Sequence, residues 1–372
     1  MHPQRILYIH GGLLCLGGTE SYIMNYYRHF DRSRLQIDFV VHGFGKGVYD
    51  DEVEALGGKL YHVAVKSKAP LRNRQQFREL FRTHSYRLVH SHMDAMSYVP
   101  LKIAKACGVP VRIAHSHNMQ HMTNNRIKIQ MNEYARHRLP SVATHLFACT
   151  EMAGSWLYGE KNLDRVEIIP NAIETQNYVF DADARRRIRA QLQLGENDIV
   201  LGHVGRFEYQ KNHAFLLDAF ALLWRQNPNF KLVMVGNGTL KEATQQKAHE
   251  LGIQEGIRFV SANPHVNEYY SAFDLFCLPS RFEGLGIVLV EAQTNGLPCL
   301  ASDAVPRAAD VTGHVEFLPL DLDTWVRQIL QCSAKGRLPQ AEAKVTAAGY
   351  SITDQAQKLQ ARYEALLYTA KN

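Results

Sequence analysis

Two glutamates in one short stretch are the residues of this sequence best suited to chemistry. Glu283 lies in a glycine-rich loop between an apolar run at 275–278 and a predicted helix, and Glu291 lies in the most apolar part of that helix. A carboxylate among apolar neighbours is costly to bury unless hydrogen-bond donors surround it. Gly284 and Gly286 let backbone N–H groups approach an anion at the helix N-terminus. The stretch therefore predicts a carboxylate that binds hydroxyl groups, beside a seat for an anion.

A nucleotide-sugar combines both chemical features. Its ribose hydroxyls would lie near Glu291, its diphosphate at the glycine-rich loop, and its sugar near Glu283. The simplest alternative makes Glu283 a solvated loop residue and Glu291 a carboxylate on the helix surface. The spacing of the two glutamates alone does not separate these interpretations.

The whole stretch SRFEGLGIVLVEAQTNGLPCLAS, residues 280–302, resembles the signature of glycosyltransferase family 4, the retaining enzymes of the GT-B fold. The similarity is to bacterial exopolysaccharide and capsule transferases in particular. It implies an α/β protein with two Rossmann-like domains, each a doubly wound parallel sheet, facing a central cleft. It also implies transfer of a hexose from a nucleotide-sugar, with UDP favoured, to a hydroxyl of a glycan acceptor linked to polyprenyl pyrophosphate. In this family the acceptor is thought to attack from the front face, and the leaving diphosphate takes its proton.

Two cations supply a second part of the expected donor site. Arg206 and Lys211 follow the predicted strand at 199–204 directly, in the run GHVGRFEYQKNH. Doubly wound sheets bind ligands at the carboxyl ends of their strands, where two cations could neutralise a diphosphate without a metal. The run matches the family's phosphate-binding Arg and Lys. Surface cations on a loop are the alternative.

The first half of the chain carries the remaining candidates. Gly17 and Gly18 lie in a glycine-rich loop at 11–20, which resembles the family loop that closes over the donor but is neither GxGxxG nor a P-loop. The run RIAHSHN resembles the family strand that ends in a histidine near the donor sugar. His117 is the preferred match, His115 is the alternative, and a structural histidine is possible at either position.

The resemblance thus implies two sets of site residues. The residues expected to bind the donor are Gly17, Gly18, Arg206, Lys211, Glu283, Gly284, Leu285, Gly286, Ile287 and Glu291. The residues expected to take part in catalysis are His117, Glu283, Arg206 and Lys211.

We expect neither a metal nor a cofactor. The two Asp-x-Asp pairs, at Asp181 and Asp321, precede predicted helices and are interpreted as N-terminal caps. The six cysteines are scattered singly, with no CxxC and no Cys/His cluster, which is typical of reduced thiols in a cytosolic protein.

The length of 372 residues predicts two domains. We expect an acceptor-side domain at 1–173, a nucleotide-sugar-binding domain at 174–350, and a final helix at 351–372 that crosses back onto the first domain, as in the GT-B fold. No apolar run is long enough for a membrane span, and the N-terminus lacks a signal peptide pattern. A cytoplasmic location is therefore expected.

Positive charge is concentrated in the first half. Residues 1–173 hold 22 Lys and Arg against 14 Asp and Glu, whereas the rest holds 20 against 22. The most basic segments are Lys66–Arg87, with Leu71, Phe77, Leu80 and Phe81 as its expected packed face, and Arg126–Arg138. We predict that these segments dock on an anionic membrane surface, peripheral to the inner face of the plasma membrane; a solvated basic face is the alternative. No nucleic-acid-binding module is recognisable, so nucleic acid is not an expected partner.

Two other functions are compatible with the same fold. A non-catalytic GT-B subunit of another transferase is disfavoured because all the candidate residues are present. A nucleotide-sugar epimerase is disfavoured by the pairing of the two motifs around Lys211 and Glu291.

Overall fold

The computed structural model describes residues 3–15, 17–121, 123, 125–263 and 265–370. The chain forms two compact units. Unit 1 is Met1–Ala172 with Ile352–Asn372, and unit 2 is Ile173–Ser351. Ile173 thus lies in unit 2, one residue before the predicted boundary. None of the described helices combines the length and the apolar character that crossing a membrane requires.

Unit 1 is built on a parallel seven-stranded sheet of order β3-β2-β1-β4-β5-β6-β7. Its strands are β1 Gln4–His10, β2 Leu35–His42, β3 Leu60–Val63, β4 Leu88–His92, β5 Val111–Ser116, β6 His145–Ala148 and β7 Val166–Ile168. Its helices are α1 Gly18–His29, α2 Asp50–Ala55, α3 Pro70–Thr83, α4 Tyr98–Ala106, α5 Arg126–Arg138, α6 Glu151–Tyr158 and α14 Ile352–Thr369. Residues 6–10 of β1 and all of β4 are buried, because helices cover both faces of the sheet.

Two hydrophobic clusters cover the faces of this sheet. One cluster contains α1 and α14, with Ile352, Leu359 and Tyr363 fully buried against the strands. The other contains the apolar sides of α3 and α4, including Phe77. Leu71 does not belong to either cluster: its side chain is 78% exposed, so the prediction that it packs was wrong. It lies in the first turn of α3, before the helix reaches the core.

Unit 2 is built on a parallel six-stranded sheet of order β10-β9-β8-β11-β12-β13. Its strands are β8 Ile199–Val204, β9 Phe230–Val235, β10 Ile257–Val260, β11 Leu275–Leu278, β12 Cys299–Ser302 and β13 Val315–Leu318. Its helices are α7 Ala182–Gln191, α8 His213–Gln226, α9 Lys241–Glu250, α10 Val266–Ala272, α11 Ile287–Thr294, α12 Leu322–Cys332 and α13 Ala341–Val345. The prediction of two doubly wound α/β sheets is confirmed.

The strand order places the candidate residues. In unit 2 the chain runs outward from β8, then returns to β11 beside it, so the switch point lies between these two strands. The loop after β8 carries Arg206 and Lys211, and the loop after β11 carries Glu283. In unit 1 the corresponding switch point lies between β1 and β4. Such points are where doubly wound sheets bind ligands.

Candidate active site

Glu283 is the centre of a hydrogen-bonded group that joins the loops after β8 and β11. Its Oε1 accepts from Lys211 Nζ at 2.7 Å and from Ser280 Oγ at 2.5 Å, and its Oε2 accepts from Gln210 Nε2 at 3.0 Å. Only 5% of Glu283 is exposed. A carboxylate offers about four acceptor positions, so these three donors leave room for about one more. Glu283 is therefore a charge-compensated carboxylate and not a solvated loop residue.

The start of α11 presents backbone donors beside this group. In the described part of the chain, no acceptor pairs with the backbone N–H groups of Gly284, Leu285, Gly286 and Ile287. Gly286 adopts φ +83°, a left-handed conformation that costs residues with a Cβ roughly 1–2 kcal/mol. Unpaired N–H groups at a helix N-terminus attract anions. The backbone donors on which the predicted anion seat depends are thus unpaired, and anion binding there stays a prediction.

The loop after β8 brings positive charge to unit 2's switch point. Lys211 is half-buried and directed at Glu283. A Cβ on Gly205 would lie 3.1 Å from Lys211 Cε, so glycine leaves the space through which the lysine side chain passes. Arg206 is exposed, and among the described residues its guanidinium has no hydrogen-bond or ion-pair partner. One cation is therefore held in place and the other is available to an incoming anion.

Glu291 is half-buried on α11 and has the donors that its apolar surroundings require. Tyr270 donates its hydroxyl to Glu291 Oε2 at 2.6 Å, and the Tyr178 hydroxyl also interacts with this carboxylate. Burial raises the pKa of the Glu291 carboxyl, while the two tyrosines and the charge of Lys211 act in the opposite direction. Sequence reasoning called for donors at this position but did not identify the two tyrosines. Ser280 and Gln210 around Glu283 were missed as well, although both are close to predicted site residues in the chain.

The two candidate histidines of unit 1 differ in exposure. His115 is fully buried, and its Nδ1 lies 3.1 Å from His90 Nε2. His117 is half-buried, with Nε2 3.0 Å from His92 Nδ1 and Nδ1 3.2 Å from Cys149 Sγ. Burial lowers the pKa of His117 to about 3, so the ring is neutral at physiological pH. Of the two, His117 is the one with surface for a ligand, and both of its nitrogens have protein partners.

The glycines of the first loop lie at the start of α1. Gly17 precedes the helix in an extended conformation and Gly18 is its first residue. The first turn of α1 also carries Glu20, whose Oε1 lies 3.1 Å from His10 Nε2. Leu16, in the same loop, lies outside the described residues.

The Asp-x-Asp pairs are helix caps, as predicted. Asp181 accepts from the backbone N–H groups of Asp183 and Ala184 at the start of α7. Asp321 accepts from the N–H of Thr324 at the start of α12. Both carboxylates satisfy donors that a helix N-terminus leaves unpaired.

Comparison with known proteins identifies the family. A "Glycosyl transferase 4-like domain" model matches residues 17–172, and a "Glycosyl transferases group 1" model matches residues 184–326. The putative glycosyltransferase EpsF of Bacillus subtilis is 34% identical over 343 residues, which cover 90% of this chain and 89% of that protein. The chain belongs to glycosyltransferase family 4.

Two other relatives of this family 4 glycosyltransferase have more specific names. The capsular polysaccharide biosynthesis glycosyltransferase CapH of Staphylococcus aureus is 24% identical, covering 76% of this chain and 78% of that protein. The UDP-Gal:α-D-GlcNAc-diphosphoundecaprenol α-1,3-galactosyltransferase of Escherichia coli is 23% identical, covering 60% of each chain.

Among solved structures, HepE of Anabaena in complex with UDP and glucose superposes with a TM-score of 0.78 at 17% identity, covering 98% of this chain and 100% of that one. This likeness confirms the predicted GT-B fold.

Proposed function

We propose that this glycosyltransferase moves a hexose from a UDP-sugar to a hydroxyl of a glycan acceptor, with retention of configuration and without a metal. We further propose that the acceptor is linked to polyprenyl pyrophosphate and that the product belongs to an exopolysaccharide or capsule. The main support for this proposal is that unpaired backbone N–H groups of residues 284–287 lie beside the Lys211–Glu283 pair. The names of CapH and of the Escherichia coli galactosyltransferase support the acceptor class, and the UDP bound to HepE supports the donor class.

Each part of the donor has a chemically suitable partner in unit 2. The diphosphate takes the N–H groups at the start of α11, with charge from Lys211 and Arg206. The ribose hydroxyls donate to Glu291, whose carboxylate offers about four acceptor positions and so keeps capacity beyond its two tyrosine partners. The remaining acceptor capacity of Glu283 receives a hydroxyl of the sugar.

The same contacts favour departure of the diphosphate. Donors already aimed at the position where negative charge develops stabilise a transition state without reorganising. Glu283 is held by three donors, one of them a cation, so it is a poor nucleophile. This supports attack by the acceptor itself, with the leaving diphosphate taking its proton. Because two cations and a row of N–H groups compensate the charge, the proposal needs no metal.

We assign the sugar-facing histidine to His117, because His115 is fully buried. A sugar hydroxyl that binds a nitrogen of His117 has to replace His92 or Cys149 as its partner. The His117→Ala variant should therefore lower kcat, whereas His115→Ala should act mainly through stability. Steady-state rates and thermal unfolding of both variants separate the two effects.

Nucleotide binding by the purified protein tests the donor assignment. UDP, GDP, ADP and CMP are titrated calorimetrically into wild type, Glu291→Gln, and the exposed control Glu242→Gln on α9 of the same unit. We expect UDP to bind wild type and the control equally. Loss of hydrogen bonds to a charged group costs about 1.5–3 kcal/mol, so Glu291→Gln should bind UDP about 10- to 150-fold more weakly.

Turnover of the matching UDP-sugar then tests the chemistry. Transfer should be unchanged by EDTA, and NMR of the product should show the anomeric configuration of the donor. An inverted product would refute retention, and loss of turnover in EDTA would refute metal independence. Absence of binding by any nucleotide would instead favour a non-catalytic subunit.

An exposed surface of α5 supports the membrane part of the proposal. Ile127, Met131 and Tyr134 are 70%, 57% and 58% exposed and lie at helical spacing on one side of α5. Arg126, Lys128 and Arg138 on the same helix are also exposed. Arg136 is not available, because it pairs with Glu133. Apolar side chains flanked by cations suit the interface of an anionic bilayer.

Vesicle co-sedimentation tests this surface. The full-length protein is mixed with phosphatidylcholine vesicles with and without phosphatidylglycerol, at low and high salt. Binding should require the anionic lipid and weaken with salt, and the pair Ile127→Ser and Met131→Ser should reduce it by about tenfold or more. The control Leu240→Ser removes an exposed apolar side chain from unit 2 and should have no effect. Binding that ignores anionic lipid and salt would refute the assignment.

A further inference from the structure

A cluster of histidines and one cysteine lies at the carboxyl ends of β4, β5 and β6 in unit 1. His90 lies in β4 and His92 ends it. His115 lies in β5 directly before its last residue, Ser116, His117 follows that strand, and Cys149 follows β6. All except His117 are at most 5% exposed. The register pairs His115 with Phe147 and Ser116 with Ala148, which brings Cys149 beside His117. Residues far apart in the chain thus form one compact polar group.

Three donor atoms of this group converge. Cys149 Sγ lies 3.2 Å from His117 Nδ1 and 3.6 Å from His115 Nε2, and the three atoms lie within 4.8 Å of one another. In a tetrahedral zinc site, Zn–S distances of about 2.3 Å and Zn–N distances of about 2.0–2.1 Å place S and N about 3.5 Å apart. The two S···N distances match that edge. Thiolate and imidazole are also the ligands that zinc-like ions prefer.

In both His115 and His117, the ring nitrogen that faces away from Cys149 already has a hydrogen-bond partner. His115 Nδ1 lies 3.1 Å from His90 Nε2, and His117 Nε2 lies 3.0 Å from His92 Nδ1. His90 is itself oriented by Tyr363, whose hydroxyl lies 2.6 Å from His90 Nδ1. Metal-binding histidines usually donate their second N–H to a carboxylate, a backbone carbonyl or water, which directs the first nitrogen at the ion. Here an imidazole nitrogen takes that place.

We propose that His115, His117 and Cys149 form a binding site for a zinc-class divalent ion. Three protein ligands leave one position for water. The rings of His115 and His117 stack with centroids 4.3 Å apart. An ion bound to both would therefore lie outside the plane of at least one ring unless that ring turns. Turning the half-buried ring of His117 toward the ion would break its bond to His92, so only His115 keeps the partner of its second nitrogen in the bound state. The site lies wholly in unit 1 but shares His117 with the sugar-facing position proposed above, so an ion and a sugar hydroxyl would compete for that ring.

Cobalt(II) titration of the full chain tests the site directly. After dialysis against EDTA, Co²⁺ should bind with one ion per chain and produce the near-ultraviolet charge-transfer absorption of a cobalt–thiolate bond. Cys149→Ser should abolish that absorption and weaken binding at least about tenfold. His117→Gln, at a half-buried position, should weaken binding but keep the absorption. Cys299→Ser, a buried cysteine of unit 2, is the matched control and should behave as wild type.

Competition with zinc and the behaviour of the Cys149→Ser and His117→Gln variants decide whether the site exists. Zn²⁺ should displace the cobalt and bleach the absorption. If wild type takes up no stoichiometric Co²⁺, or if Cys149→Ser keeps the thiolate absorption, the site does not exist. If Cys149→Ser fails to fold, as judged by circular dichroism, the weaker binding of His117→Gln alone decides, and unchanged affinity in that variant overturns the proposal.

Discussion

Breaking the Lys211–Glu283 ion pair from one side should destabilise unit 2 more than removing both charges. In Lys211→Met, Glu283 keeps its bonds to Ser280 and Gln210 but loses its counter-charge at a site that is 5% exposed. Removal of one partner from a buried pair costs about 3–5 kcal/mol. We expect a loss of about 3 kcal/mol, the lower end of that range, because two hydrogen bonds remain.

The double variant Lys211→Met with Glu283→Gln supplies the comparison. Glutamine keeps the shape of the side chain and removes the stranded charge. The double variant should therefore recover about 2 kcal/mol relative to Lys211→Met, since the cost arises mainly from the unpaired charge. Catalysis should not recover: loss of a donor to the developing diphosphate charge lowers kcat by about 10²- to 10³-fold in both variants.

Urea unfolding followed by tryptophan fluorescence measures these differences. The chain has three tryptophans, and in a Trp156→Phe background the remaining two, Trp224 and Trp325, both lie in unit 2. The signal then reports the unit that holds the pair, which matters because a two-unit chain need not unfold in one step. Glu283→Gln alone completes the cycle. If its loss and that of Lys211→Met simply add in the double variant, the two residues do not interact and the assignment of the pair is refuted.

Three further predictions concern residues around α11. Tyr270→Phe removes the hydroxyl that donates to Glu291, so UDP affinity should fall by about tenfold or more, while the neighbouring Tyr269→Phe should leave it unchanged in calorimetric titrations. Burial raises the pKa of Glu291 above its ordinary value of about 4.3. The unfolding free energy of wild type should therefore fall relative to that of Glu291→Gln as pH rises from about 4.3 through the raised pKa of the folded state. An equal difference in unfolding free energy between the two proteins at pH 4 and pH 8, measured with urea, would contradict this. Gly286→Ala should lower the unfolding free energy by about 1–2 kcal/mol because of its positive φ, whereas Gly284→Ala, outside the positive-φ set, should cost less by the same assay.

Local patterns in the sequence were enough to predict the elements that carry the donor site. The strands β8 and β11 have the predicted bounds, because short apolar runs end at glycine or proline where the chain turns. Ile287 begins α11 as expected, directly after the glycine-rich loop. What these predictions share is that each depends on neighbours within about one helical turn.

Contacts made across the sheet could not be predicted in this way. Tyr178 and Tyr270 reach Glu291 from segments far away in the chain. Cys149 was interpreted as one of six singly scattered thiols because no CxxC motif or Cys/His cluster marks it in the sequence. The parallel pairing of β5 and β6 nevertheless places His115 and His117 beside it. Spacing along one segment carries no information about crossovers, so the histidine–cysteine cluster is visible only in the fold.

The position of α14 has a consequence for biosynthesis. Its residues Ile352, Leu359 and Tyr363 complete the core of unit 1, although they follow the whole of unit 2 in the chain. Domains usually fold in the order in which the ribosome releases them. Here all residues of unit 2 are synthesised before α14, and the face of the unit 1 sheet that α1 covers stays partly uncovered until α14 has emerged. Translation that stops before Ile352 would leave the earlier-made unit without part of its core, as a substrate for chaperones and proteases.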